Sequence, residues 1–136
     1  MQDENKIVLS KVRLDKALDC LRDSEALIQT GGYRSAANRS YYAVFHAMRA
    51  VLVFDDFDSK KHSGIISEFR KNYIKTGIFS NEISFIIGNQ FDVRSHSDYD
   101  DFYIITKDFA QSQLDDARKM VMEVQKYLKN NHTETQ

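Results

Sequence analysis

Apolar residues recur every three to four positions over most of the chain, and no stretch of useful length alternates apolar and polar residues with period two. The pattern therefore predicts helices and no sheet. The first stripe runs from about Leu9 to Thr30 through Leu14, Leu18, Leu21 and Ile28, widened by Val12, Ala17 and Leu27. Ser10 is its expected N-cap. Gly31-Gly32 is its expected stop, because glycine accepts a left-handed C-terminal conformation at little cost. A second helix is predicted from about Ser35 to Val53. Tyr41, Val44, Phe45, Met48, Val51 and Leu52 form its apolar face, and Ala36, Ala43, Ala47 and Ala50 permit close helix approach. The polar run 55–62 reads as a loop. A third, shorter helix follows at about Ser63 to Tyr73 and is broken at Lys75-Thr76-Gly77. A fourth is expected from an N-cap at Ser80 to about Val93, after which the polar run Arg94 to Asp100 interrupts the pattern. The last is predicted from about Asp100 to Lys129, on the spacing of Phe102, Ile105, Phe109, Gln113, Ala117, Met120, Val124 and Leu128. Residues 130–136 read as a polar tail.

Long helices with short connections pack best as an antiparallel up-and-down bundle, so the expected fold is an all-α bundle of four to five helices. No repeat, low-complexity tract or linker divides the sequence. Residues 1–136 therefore read as a single domain with its core at about 10–129.

Composition explains the length of these elements. The 136 residues include no proline, where ordinary usage predicts about seven. Proline ends helices and punctuates loops, so nothing breaks the long stripes. The one cysteine, Cys20, leaves no partner for an internal disulfide and no cysteine-based zinc site, so a reducing, cytoplasmic setting is expected. No secretory leader is expected from the polar start MQDENK. The richest apolar stretch, Ala43 to Phe54, is interrupted by His46 and Arg49, so no membrane span is expected.

The net charge of −1 argues against a general polyanion binder. It is a cancellation, however. Residues 33–75 carry eight bases and four acids, while residues 92–136 carry six bases and nine acids. The plain reading is two solvated faces of opposite sign; the other is a local basic surface.

Three groups of residues can carry chemistry. On the second helix Arg39, Tyr42, His46 and Arg49 share one face at spacings of three and four, on a helix otherwise apolar nearly all round. Such groups need partners if buried, so a satisfied core network or an oligomer interface is the plain alternative to a site. The run Arg94-Ser-His96-Ser-Asp98-Tyr99-Asp100-Asp101 gathers a guanidinium, an imidazole, three carboxylates and a phenol. Arginine offers a planar donor fork suited to phosphate, and histidine moves protons near neutral pH. Asp98 or Asp100 is equally a candidate N-cap for the last helix. Lys60-Lys61-His62-Ser63-Gly64 reads as a phosphate-contacting loop at a helix start or as an ordinary basic loop, and lacks P-loop spacing. The four histidines, at 46, 62, 96 and 132, have no paired metal-ligand spacing. No metal and no cofactor is expected.

The segments AANRSYYAVFHA (36–47), KHSGII (61–66), FRKNYIKTG (69–77) and RSHSDYD (94–100) together resemble the HEPN domain family, and within it a group of small stand-alone prokaryotic proteins. The resemblance covers about residues 12–128. It implies an antiparallel helical bundle that usually forms a homodimer, and a connection to RNA or nucleotide. Many members are metal-independent RNA endonucleases. Their motif is an arginine, about four to six residues, then a histidine, often followed by x-Tyr. Many are encoded beside a minimal nucleotidyltransferase as toxin and antitoxin, and that partner can adenylylate the motif tyrosine. Arg94 and Tyr99 match this motif, but Ser97 stands where the histidine would be. The expectation is therefore an RNA- or nucleotide-binding component paired with a minimal nucleotidyltransferase. The alternatives are a ribonuclease that uses Arg94 with His96 or His46, and a non-catalytic dimeric interaction bundle. Arg39, Tyr42, Asp98, Tyr99, Lys61 and His62 are the expected binding residues.

Overall fold

The computed structural model describes residues 2–132. Five α-helices occur among them, and no strand: α1 Gln2–Gln29, α2 Tyr33–Leu52, α3 His62–Phe69, α4 Asn81–Tyr99 and α5 Lys107–Asn131. A short 3₁₀ turn, Val53–Asp55, follows α2, and a π turn, Arg70–Ile74, continues α3. This is the all-α bundle that the periodicity predicts.

The helix directions follow from which residues meet. Ser10 Oγ donates to Ala50 O at 2.8 Å and Ser24 Oγ to Ala36 O at 2.9 Å, so α1 and α2 run antiparallel. Gln90 Nε2 on α4 donates to Gln113 O on α5 at 2.8 Å, and Glu82 pairs with Lys119, which makes that pair antiparallel as well. Tyr41 meets Phe91, and Arg34 bonds Ser97, so α4 also opposes α2. The order is up-and-down, with short α3 at one end.

Helix α2 sits at the centre. Ala36, Ala43, Val44, Ala47, Met48, Ala50, Val51 and Leu52 are fully buried. Its alanines let neighbouring backbones approach, and α1 answers with small residues of its own. Ser24 and Ser40 hydroxyls lie 2.9 Å apart at that seam, both fully buried. Burial without these bonds would cost about 1–3 kcal/mol per group. Around α2 close Phe69 and Ile65 from α3, Ile87 from α4, and Leu114 and Met120 from α5.

Several boundaries depart from the sequence expectation. Helix α1 begins well before Leu9, and Ser10 is a buried interior residue rather than a cap. Nothing in the polar start breaks a helix, and Glu4 is an acid favourable to a helix N-terminus. The stop at Gly31 holds: it has φ of +89°, and Gly32 N donates to Leu27 O at 2.8 Å. Helix α4 runs through the polar stretch to Tyr99 instead of ending at Val93. Arg94 and Asp98 pair across one turn, and Arg34 holds the end by donating to the carbonyls of Ser97 and Tyr103. The last helix begins at Lys107, not near Asp100. Asp100 accepts from Phe102 N at 3.0 Å in a local turn, and Asp98 faces Arg94, so neither caps α5. Thr106 does, accepting from Phe109 N at 3.1 Å. Thr106→Ala is expected to lower stability by about 1 kcal/mol, read as a lower urea midpoint with unchanged slope.

Candidate functional site

Three helices deliver one cluster of rings and cations. The adjacent tyrosines of α2 divide the work. Tyr41 turns inward, at 1% exposure, while Tyr42 sits half-buried beside it. Tyr41 Oη lies 2.6 Å from Nδ1 of His62, the first residue of α3. The His62 ring also stacks on Phe45, with centroids 4.1 Å apart and planes 24° apart. From α4, the Arg94 guanidinium carbon lies 5.3 Å from the Tyr41 ring centre and 5.7 Å from that of Tyr42. The Arg39 guanidinium carbon lies 5.3 Å from the Tyr42 ring centre. Cations over ring faces at these distances are attracted by the ring quadrupole.

The margins are charged. Asp58 receives Arg49 through Nε at 3.2 Å and Nη2 at 2.8 Å, and Arg13 Nη2 at 3.4 Å. The Arg49 hydrogen bond holds the Asp58 carboxyl below its ordinary value. Arg94 Nε lies 3.3 Å from Asp98 Oδ2, but the bond is poorly directed, and this buried nitrogen has no hydrogen-bond partner among the described residues. Arg39 Nε and His46 Nδ1 are in the same position. Three polar atoms in one neighbourhood thus have bonding capacity left over.

Burial keeps His46 and His62 neutral. Burial pushes the His46 pKa down to about 4, helped by the positive charges of Lys16, Arg49, Arg39 and Arg13. Burial also lowers that of His62, with Arg94 and Arg49 adding to it. Burial raises the Tyr41 phenol above its ordinary value, so it stays protonated. A neutral His62 has one ring nitrogen engaged with Tyr41. When Nδ1–H donates to Tyr41 Oη, Nε2 carries the free lone pair.

The comparisons with known proteins bear on this arrangement. The HEPN domain profile matches residues 10–127. The chain belongs to the HEPN domain family. It is 32% identical over 115 residues to a protein of Methanocaldococcus jannaschii named "Putative toxin", covering 85% of this chain and 78% of that one. It is 28% identical over 127 residues to a second protein of that organism with the same description, covering 92% and 94%. A Thermotoga maritima protein named "UPF0332 protein" is 32% identical over 99 residues, covering 73% and 74%.

Within this HEPN bundle the expected site residues separate into two groups. Arg94, Tyr42, Arg39, His46 and His62 come together around Tyr41 and Phe45. His96 does not join them. It follows Arg94 by two positions, about 200° round a helix, and its exposed ring stacks on Tyr103 at 5.4 Å. Tyr99 is 87% exposed at the end of α4. Lys61 is exposed at the N-cap position of α3. Asp98 takes part only as the ion-pair partner of Arg94.

The apolar spacing of α2 places Tyr41 and Phe45 in the core, and Asp58 lies in the polar run 55–62. Tyr41 is a core residue, yet its hydroxyl is the link to His62. A buried tyrosine must bond its hydroxyl, and that requirement was the available signal. Among the described residues no group of three or more His, Cys, Asp or Glu is placed to hold a metal ion, and no helix is long and apolar enough to cross a membrane.

Proposed function

We propose that this chain is the toxin-type component of a toxin–antitoxin module, that it binds RNA or nucleotide at the Arg94 cluster, and that a minimal nucleotidyltransferase is its partner. One observation carries the reading: Arg94 from α4 converges with Tyr41 and Tyr42 from α2 and with His62 from α3. A guanidinium fork suits a phosphate, and the half-buried Tyr42 ring offers a face to an unstacked base, which is how single-stranded RNA is recognised. The toxin names of two relatives and the family's pairing with nucleotidyltransferases support the module. The single domain acts as a homodimer in this reading, and Tyr99, exposed on the end of α4, is open to modification by the partner.

The Tyr41–His62 bond favours a second reading, in which the protein also cleaves RNA without a metal. His62 Nε2 takes the proton of a 2′-hydroxyl, whose oxygen attacks the adjacent phosphorus. Arg94 stabilises the charge that develops there. The 5′-oxygen leaves and takes a proton from water, giving a 2′,3′-cyclic phosphate and a 5′-hydroxyl. His62 takes the place given to His96 or His46 from sequence, since the His96 ring stacks on Tyr103 and His46 lies half-buried among cations.

The test uses the purified protein in EDTA with a labelled oligoribonucleotide of about a dozen nucleotides. Binding by the wild type is expected. Any cleavage is expected to be lost in His62→Ala and kept in His96→Ala, while His62→Ala still binds. Failure to bind RNA or ATP, together with failure to co-purify with a co-expressed neighbouring nucleotidyltransferase, would sink the reading and leave an interaction bundle.

A further inference from the structure

A groove of about 610 Å³ runs beside the cluster, between α3 with its π turn and the outer face of α4. Ser63, on its wall, follows His62 in sequence, and Phe91 on its other wall lies 6.2 Å from the Tyr41 ring. Its charged lining is Arg70, Lys71, Lys75 and one acid, Asp92.

The local backbone assembles these cations. Lys75 N donates to Arg70 O at 2.9 Å, a bond from residue i to i−5 that defines the π turn. In a regular α-helix residues five apart point about 140° apart. The wider turn brings Lys75 round towards the side of Arg70, and such single π turns recur at functional sites. Arg70 itself is set by α4: Nε donates to Ser84 Oγ at 3.1 Å and Nη2 to Ser84 O at 2.9 Å. Gly88 leaves room for it, since a Cβ there would stand 2.9 Å from Arg70 Nη2 and push the guanidinium aside.

The charge of this set is left open. Lys6, Arg13, Arg22, Arg49, Arg94, Arg118 and Lys119 all face carboxylates within ion-pair distance. Among the described residues Arg70, Lys71 and Lys75 form no ion pair, and the partner of Arg70 is a neutral serine. Three cations to one carboxylate, with two serine hydroxyls and an aromatic edge, match a chain of phosphodiesters better than an apolar or cationic ligand.

We propose that this groove is a track for the backbone phosphates of single-stranded RNA, continuing from the Arg94 cluster. The proposal rests on RNA as the ligand of that cluster. Arg70 supplies a fixed fork, Lys71 and Lys75 supply mobile charge, and Ser63 and Ser67 supply neutral hydrogen bonds.

Salt dependence is the discriminating measurement, because each phosphate neutralised on a single strand adds about −0.7 to the slope of log K against log salt. Fluorescence anisotropy of a labelled single-stranded oligoribonucleotide is followed over a KCl series. The samples are the wild type, the double variant Lys71→Ala/Lys75→Ala, and the double variant Lys126→Ala/Lys129→Ala, which removes two lysines from the separate α1–α5 groove. The first double variant is expected to lose about 1.4 from the slope, or about 25-fold in affinity at about 0.1 M salt if the lines meet near 1 M. The second is expected to match the wild type. Both lysines of each pair are exposed, so thermal midpoints are expected to stay unchanged. Equal slopes for all three proteins overturn the track while leaving RNA binding intact. So does an equal loss in both double variants, or a loss for ATP without a loss for RNA. A wild type that binds no RNA overturns the reading on which the track rests.

Discussion

Arg94→Ala is expected to weaken RNA binding by about 10- to 100-fold in the same anisotropy measurement. The figure is that of one charge-assisted hydrogen-bonding group, about 1.5–3 kcal/mol. Wherever the wild type cleaves RNA, the same substitution is expected to remove a further factor of about 10² to 10³ in rate, the usual cost of losing a donor aimed at developing negative charge. Arg94→Lys is expected to recover only part of either loss. Lysine keeps the charge but loses the planar fork and much of the contact with the Tyr41 and Tyr42 rings. Stability is expected to fall by about 1 kcal/mol, because the ion pair with the partly exposed Asp98 is weak and the larger loss is contact with the Tyr41 and Tyr42 rings. An Arg94→Ala protein that folds and binds RNA as tightly as the wild type would remove Arg94 from the site.

The second large effect is on stability against pH. The His46 pKa is held at about 4 in the folded protein, against about 6.5 in an unfolded chain. Between those values the unfolded chain binds the proton and the folded one does not. The stability His46 contributes is therefore complete above about pH 6.5 and is lost as pH falls from there towards 4. From pH 7 to pH 5 the loss is on the order of 1–2 kcal/mol, reduced from the full shift because His46 is only partly buried. His62 acts in the same direction. Asp58, held below its ordinary value, titrates beneath this window. Urea unfolding of wild type and His46→Gln at both pH values isolates the effect. The variant is expected to lose much of the pH dependence, whatever its absolute stability. Identical dependence in the two proteins would show that His46 is not the titrating group.

The elements were legible where one force decided them. The stripe of α2 and the stop at Gly31-Gly32 are written in apolar spacing and in glycine's backbone freedom, and both are in the structure. The end of α4 was not legible, because polar residues at 94–99 carry no apolar stripe. What keeps them helical is Arg34 reaching from α2, a contact with no local signature. Phe102 was misleading for the opposite reason. Its spacing fits the stripe of α5, yet it is 91% exposed in the turn before that helix.

The site divides in the same way. Arg39, Tyr42 and His46 were legible because helical spacing fixes which residues share a face. His62 and Arg94 were visible as residue types, but their convergence on Tyr41 depends on how α3 and α4 cross α2. His96 drew attention by lying close to Arg94 in sequence. On a continuous helix that closeness becomes separation.

The central position of α2 has a consequence for control. Tyr41, Tyr42, Phe45 and His46 stand on the helix with most of its residues buried. Such a segment opens only when the whole domain does. The α2 part of the site therefore has no local melting step by which it can be turned on or off. Control that leaves α2 intact acts on the other two helices, by occupying the Arg94 guanidinium, by shifting His62 with short α3, or by altering the exposed end of α4.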